Sequence, residues 1–94
     1  MRKAIVMDSQ DNVATLLTDA EEGDVIHDIP GKAEGVRVRQ KIPFGHKIAI
    51  RKIGRGEEVV KYGEVIGRAS EEVAEGHHVH VHNVASVRGR GGKV

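Results

Sequence analysis

The sequence predicts a small all-β domain of short strands, and three observations carry that prediction. Apolar residues fall in short Val- and Ile-rich runs, with no sustained 3.6-residue period. Glycine, 12 of the 94 residues, punctuates those runs. With no Trp, one Tyr (Tyr62) and one Phe (Phe44), the core must be filled by Val, Ile and Leu, which favour strands. A chain of this length is one domain with a single core, too small to wall off a deep active site.

Residues 4–7 and 13–17 are apolar runs separated by the Asp-, Ser- and Asn-rich residues 8–12, the pattern of a β-hairpin. Residues 18–23 offer acids and a glycine for a turn or single helical turn before a short strand over residues 24–27, which Pro30 and Gly31 end. The alternation Val36, Arg37, Val38, Arg39 predicts another strand. Residues 42–45, with Pro43 and Gly45, form a bend, and residues 47–51 resume as a strand. Gly54 and Gly56 mark a turn before strands at residues 59–62 and 65–67. Ser70 ahead of Glu71 and Glu72 caps a helical turn running to Glu75 and stopped by Gly76, the one helical element the sequence predicts. Residues 78–84 read as a final strand. Residues 1–87 form the domain and residues 88–94 a disordered basic, glycine-rich tail.

Composition excludes several classes. Fifteen Lys and Arg against 14 Asp and Glu leave a net charge of +1, without the basic excess of a dedicated nucleic-acid binder. The tail is too short, and too poor in aromatic residues, to make an RNA-binding segment. Absence of cysteine removes disulfides, thiolate metal sites and cysteine nucleophiles together. The first seven residues carry no apolar stretch long enough for a signal peptide or a membrane span, so a soluble, cytoplasmic protein without membrane contact is expected.

Histidine is the informative residue. Five of the six lie at positions 46, 77, 78, 80 and 82, and His78, His80 and His82 alternate with Val79 and Val81. In one strand these three imidazoles share a face and the valines the other, with Asn83 closing the row. Neighbours two apart stand roughly 6.5–7 Å apart, so a pair reaches one ion through metal–nitrogen bonds of about 2 Å, whereas the outer two are roughly 13 Å apart. His80 with either His78 or His82 is therefore the expected chelating pair, the third being free for substrate, a proton or a partner protein. A histidine site with open positions suits Zn, Fe or Mn. Glu75 is the one carboxylate adjacent in sequence, which argues for an open or shared site. His77 is expected on the valine side or in the preceding turn.

Residues 42–49 (Ile42, Pro43, Phe44, Gly45, His46, Lys47, Ile48, Ala49), then Lys61, Tyr62 and Gly63 with Ile66 and Gly67, then Gly76 and residues 78–83 resemble, in order and spacing, the N-terminal SAF domain of altronate and galactarate dehydratases. The likeness is strongest from about residue 35 to residue 86. The sulfolactate sulfo-lyase small subunit carries the same signature. The resemblance implies a SAF-type β-clip fold and elimination of water from a hexonate or hexarate to a 2-keto-3-deoxy acid. It also implies a divalent metal, Fe²⁺ above Mn²⁺ or Zn²⁺, and a separate large catalytic subunit without which this chain is inactive; a homo-oligomer is also compatible. Elimination needs a base, an electrophile and an acid. On this reading His80 and His82 are catalytic, His78, His80 and His82 are metal ligands, and His46, Lys47, Lys61 and Asn83 bind the sugar acid. The competing class is a non-catalytic module that binds a sugar acid or a protein, since a fold of this kind implies no chemistry by itself.

Overall fold

The computed structural model describes residues 3–6 and 8–86; the tail predicted over residues 88–94 lies outside them. The described residues are all-β without a helix. The strands are β1 (Ala4–Ile5), β2 (Val13–Leu16), β3 (Val25–Ile26), β4 (Val36–Arg37), β5 (Lys47–Ala49), β6 (Glu58–Lys61), β7 (Glu64–Ala69), β8 (His78–Val79) and β9 (Val84–Ser86). They form a four-stranded sheet ordered β1-β2-β5-β8, a β3-β4 pair and a three-stranded sheet β6-β7-β9. The expected first hairpin is present, with Ala4 opposite Leu16.

The four-stranded sheet separates two cores, because side chains alternate across a strand. Ala14 and Ile48 are directly opposed in β2 and β5 and belong to one cluster, with Leu16, Ile26, Val36 and Ile42. Val13 and Ala49, also opposed, belong to the other, with Ile53, Val59, Val73 and Val79. The expectation of a single core is thus corrected to two small ones sharing a sheet. Both are entirely aliphatic, as the composition requires.

A recurring unit builds both cores: an apolar residue, a turn with glycine at its third position, and a second apolar residue three beyond the glycine. It runs from Ala20 through Gly23 to Ile26, from Ile42 through Gly45 to Ile48, from Ile53 through Gly56 to Val59, and from Val73 through Gly76 to Val79. In each, the residue after the glycine donates its N–H to the carbonyl three back: Asp24 to Glu21, His46 to Pro43, Glu57 to Gly54 and His77 to Ala74, at 2.9–3.1 Å. The glycines have φ of +85° to +96°, the third-position geometry of a type II turn. Isolated bridges join the units in pairs, Ala20 to Ile42 and Ile53 to Val73. The first pair fills one core and the second pair the other.

This unit explains why residues 70–75 are not helical. Val73 exchanges two backbone hydrogen bonds with Ile53, both 2.8 Å, and the Ser70 N–H donates to the Asn83 carbonyl. The Val73 side chain is buried in the second core. A helical turn of so few residues repays little of its ordering cost, and the bridge satisfies the same groups. The predicted strand over residues 78–84 is also corrected. β8 stops at Val79, residues 80–83 form a turn closed by the Asn83 N–H on the His80 carbonyl, and β9 begins at Val84.

The two halves are tied by polar groups of the 8–12 turn. Asn12, almost fully buried, donates from Nδ2 to the Glu58 carbonyl and accepts from the Val60 N–H at Oδ1, both at 2.8 Å. The buried Asp11 carboxylate accepts from the N–H groups of Gly63 (2.8 Å) and Asp8 (3.2 Å). That fixes the β6–β7 hairpin tip, where Tyr62 (φ 55°) and Gly63 (φ 78°) make the paired positive-φ turn suited to a two-residue loop.

Gly76 is the position least able to take a side chain. Its φ is +89°, and a Cβ there collides with the Arg37 carbonyl oxygen and lies 2.7 Å from Arg39 Cγ. Gly23 has a similar φ, but a Cβ meets nothing within 4 Å. Gly76→Ala is expected to cost about 3 kcal/mol or more and Gly23→Ala about 1–2 kcal/mol. Urea denaturation of the two variants measures the difference, and equal losses would refute the close-packing argument.

Candidate functional site

Three turns and strands bring the histidines together. His46 ends the Pro43–Gly45 turn and enters β5, where Gly45 donates to the Leu16 carbonyl and Leu16 to that of His46, both at 2.9 Å. His78 sits in β8 directly opposite Ile48. His46, two residues before Ile48, therefore shares its face of the sheet. His80 follows His78 by two and begins the turn to Asn83.

The result is a stack of imidazoles. His46 Nδ1 and His78 Nε2 are 2.8 Å apart, so one carries the proton the other accepts. The His80 ring lies over His46 with centroids 3.8 Å apart and planes 10° apart. The His46–His78 and His78–His80 centroid separations are 5.0 and 5.5 Å. One nitrogen from each of His46, His78 and His80 lies within 4.8 Å of the others. Adjacent nitrogens around a tetrahedral ion with bonds of 2.0–2.1 Å stand about 3.3 Å apart, so this donor set suits a divalent ion of the zinc or iron type with positions left open.

His82 takes a different place from the one its spacing implied. The turn at residues 80–83 folds it back, so its ring lies 5.0 Å from that of His78, tilted by 42°, and is exposed. The separation of roughly 13 Å expected of an extended strand does not arise, and His46 rather than His82 completes the group of three. Glu75, the carboxylate nearest in sequence, is engaged 3.0 Å from Lys32 Nζ.

Two amides hold the arrangement. Asn83, almost fully buried, donates from Nδ2 to the His78 carbonyl (2.8 Å) and accepts the His80 N–H at Oδ1 (3.0 Å), fixing the two imidazole-bearing residues relative to each other. Expected to bind substrate, it has both ends of its amide engaged with the backbone. Gln40, which the sequence did not single out, accepts at Oε1 from the His78 N–H (3.0 Å) and from His77 Nδ1 (3.2 Å). Nothing in its local sequence marks it, because its partners lie far along the chain. His77 thus stays in the turn preceding β8, as expected.

Lys47 pairs with Thr15 and Val79, on the face opposite His46. Burial and the nearby Lys61 charge lower its pKa. Neither lysine is ion-paired with a carboxylate among the described residues, and Lys61 Nζ lies 5.0 Å from the centre of the Tyr62 ring. Burial, then the charges of His82, His46, His80 and Lys47, bring His78 down to about 4. His80 is lowered by burial and by His46, Lys47 and His82. At neutral pH both rings are held uncharged, the form that donates to a metal.

Fold and cluster define a small all-β domain with an open, histidine-lined face. The chain belongs to the altronate/galactarate dehydratase SAF domain family, whose model matches residues 2–87. It is 39% identical over 83 residues to altronate dehydratase of Bacillus subtilis, covering 88% of this chain and 16% of that protein. To the altronate dehydratase of Escherichia coli K12 it is 42% identical over 73 residues, 78% of this chain and 14% of the other. It is 49% identical over 51 residues to (2R)-sulfolactate sulfo-lyase subunit alpha of Chromohalobacter salexigens, 54% of either chain. The chain thus spans about one sixth of the length of these dehydratases and about half of that sulfo-lyase subunit. No helix of the described residues is long and apolar enough to cross a membrane.

The unfolded chain protonates His78 near 6.5 and the folded chain only near 4, so acid favours the unfolded state between these values. Stability is expected to be full above about 6.5 and to fall as the pH is lowered toward 4. Thermal melts across that range test this, and His78→Gln should reduce the slope; an unchanged slope would exclude His78 as its source.

Proposed function

We propose that this chain is the SAF part of a metal-dependent sugar-acid dehydratase of the altronate type, acting with a separate large catalytic subunit. The single observation that carries the reading is the convergence of His46, His78 and His80 on one open face of a domain whose family is named for these dehydratases. These three imidazoles would hold a divalent ion, Fe²⁺ first and Mn²⁺ or Zn²⁺ as alternatives. When bound, such an ion supplies Lewis-acid stabilisation of charge developing on a carboxylate or hydroxyl oxygen.

The remaining residues take roles their placement allows. His82, exposed beside His78 and outside the group of three, is free to exchange a proton with substrate. Lys47 and Lys61, neighbouring cations without carboxylate partners among the described residues, are the groups assigned to the sugar-acid carboxylate. Asn83 acts through the backbone of His78 and His80 and is a positioning residue. The described residues provide no enclosed cavity around the cluster, which is why the elimination is assigned to a complex. In that complex the chain works in the cytoplasm.

A second reading, the small subunit of a sulfolactate sulfo-lyase, is favoured by one observation. The relative named as subunit alpha of that enzyme shows the higher identity, and the aligned residues make up the same share of both chains. Elimination of sulfite instead of water calls on the same base and electrophile.

Purification of the tagged chain from its own host, followed by assay on altronate, galactarate and sulfolactate with Fe²⁺ or Mn²⁺, separates these readings. Keto-acid formation from a sugar acid supports the dehydratase, sulfite release the lyase, and an inert eluate a binding module. Calorimetric titration with Zn²⁺ or Co²⁺ is expected to show one ion per chain. His46→Ala and His80→Ala should each weaken binding at least about tenfold, while His82→Ala leaves it near the parent value. Unchanged binding in His46→Ala and His80→Ala would remove the local site.

A further inference from the structure

Beside the histidine cluster lies a pocket of about 140 Å³ lined by Lys47, Ile66, Val79, His80, Val81 and Val84. Four of these six are aliphatic, so a polyhydroxylated acid placed there leaves hydroxyl groups without partners. Its size is that of the roughly 150 Å³ apolar cavities that accept a benzene-sized group, and one apolar side chain fills it. Ile66 reaches the pocket through a β-bulge: Val59 pairs with Gly67 but Val60 with Val65, which leaves Ile66 as the extra residue of β7.

Two exposed apolar side chains lie on the turns that carry His46 and His80, and one of them, Val81, lines the pocket. Val81 is 81% exposed and Phe44 63% exposed. Each is the second residue of a turn that carries a histidine of the cluster, His80–Asn83 and Pro43–His46, and each turn is pinned by hydrogen bonds. A rigidly presented, exposed apolar residue lining a pocket, as Val81 is, is what an interface anchor site offers. Residues 88–94, with Arg88, Arg90 and Lys93 and no acid, are a poor occupant next to Lys47 and Lys61. In the altronate dehydratases this domain corresponds to 14–16% of the protein, so most of such an enzyme lies outside it.

We propose that this pocket is a docking socket that takes one apolar side chain from the catalytic remainder of the dehydratase and seats it against His80, at the edge of the histidine cluster, with Val81 at the contact. The inference rests on the dehydratase reading above. It places the partner beside the His80 edge of the histidine cluster.

The test uses the full chain in its own host, with the photo-crosslinker p-benzoylphenylalanine at position 81 and, as control, at position 34, which does not line the pocket. Position 81 should crosslink to a polypeptide of the dehydratase or sulfo-lyase families and position 34 should not. Filling the pocket by Val84→Phe should abolish the crosslink. Val81→Asp alters an exposed side chain, so folding is preserved; it should lower recovery of the partner about tenfold or more and leave Zn²⁺ binding by the chain unchanged. A crosslink to a second copy of this chain, or to a protein outside those families, overturns the proposal. So does unchanged partner recovery with Val81→Asp. If the parent eluate is active while Val81→Asp changes nothing, the socket fails and the dehydratase reading stands. If the parent eluate converts none of the three acids, the dehydratase reading fails and the socket loses its occupant.

Discussion

The pairing of β5 with both β2 and β8 is the constraint on which the rest of the molecule depends. Ile48 lies opposite Ala14 on one side and His78 on the other, while Lys47 lies opposite Thr15 and Val79. Side chains alternate with a period of two, so a slip of one residue exchanges the faces of every member of the set. The buried Ile48 and Val79, drawn to different cores, forbid that slip. The same hydrophobic preference that fixes the register therefore places His46 and His78 on one face and Lys47 on the other.

Short strands give few ladder hydrogen bonds, and buried polar side chains supply what the ladder lacks. Asn12 bonds the backbone of β6, Asp11 holds the tip of the β6–β7 hairpin, and Asn83 spans His78 and His80. Each replaces a strand partner with a side-chain amide or carboxylate, and each is satisfied at both ends. An aliphatic core is tolerant of shape, whereas such bonds are directional, so positional accuracy near the histidines comes from polar groups.

Electrostatically the charges that act on the histidine cluster are alike in sign. Lys47, on the other face of the sheet, still adds its charge to those acting on His78 and His80, and the group of three among the described residues consists of imidazoles alone. Burial and these like charges disfavour protonation of His78 and His80 and keep their ring nitrogens available as donors.

The sequence by itself determined the all-β class, the first hairpin, the aliphatic core and the concentration of histidine at position 46 and residues 77–82, because alternation, turn residues and composition are local signals. It even contains the repeated turn unit, spelled by Gly23, Gly45, Gly56 and Gly76 with flanking apolar residues, though single turns were all that local reading recovered. Tertiary structure alone decided that His46 joins His78 and His80, that the chain turns at residues 80–83 so that His82 leaves the row, and that residues 70–75 form a bridge instead of a helical turn. Those outcomes depend on partners far along the chain, Ile48 for His78, Ile53 for Val73 and Gln40 for β8. Spacing along a strand predicts neighbours only while the strand continues, and what ends this one is a buried asparagine.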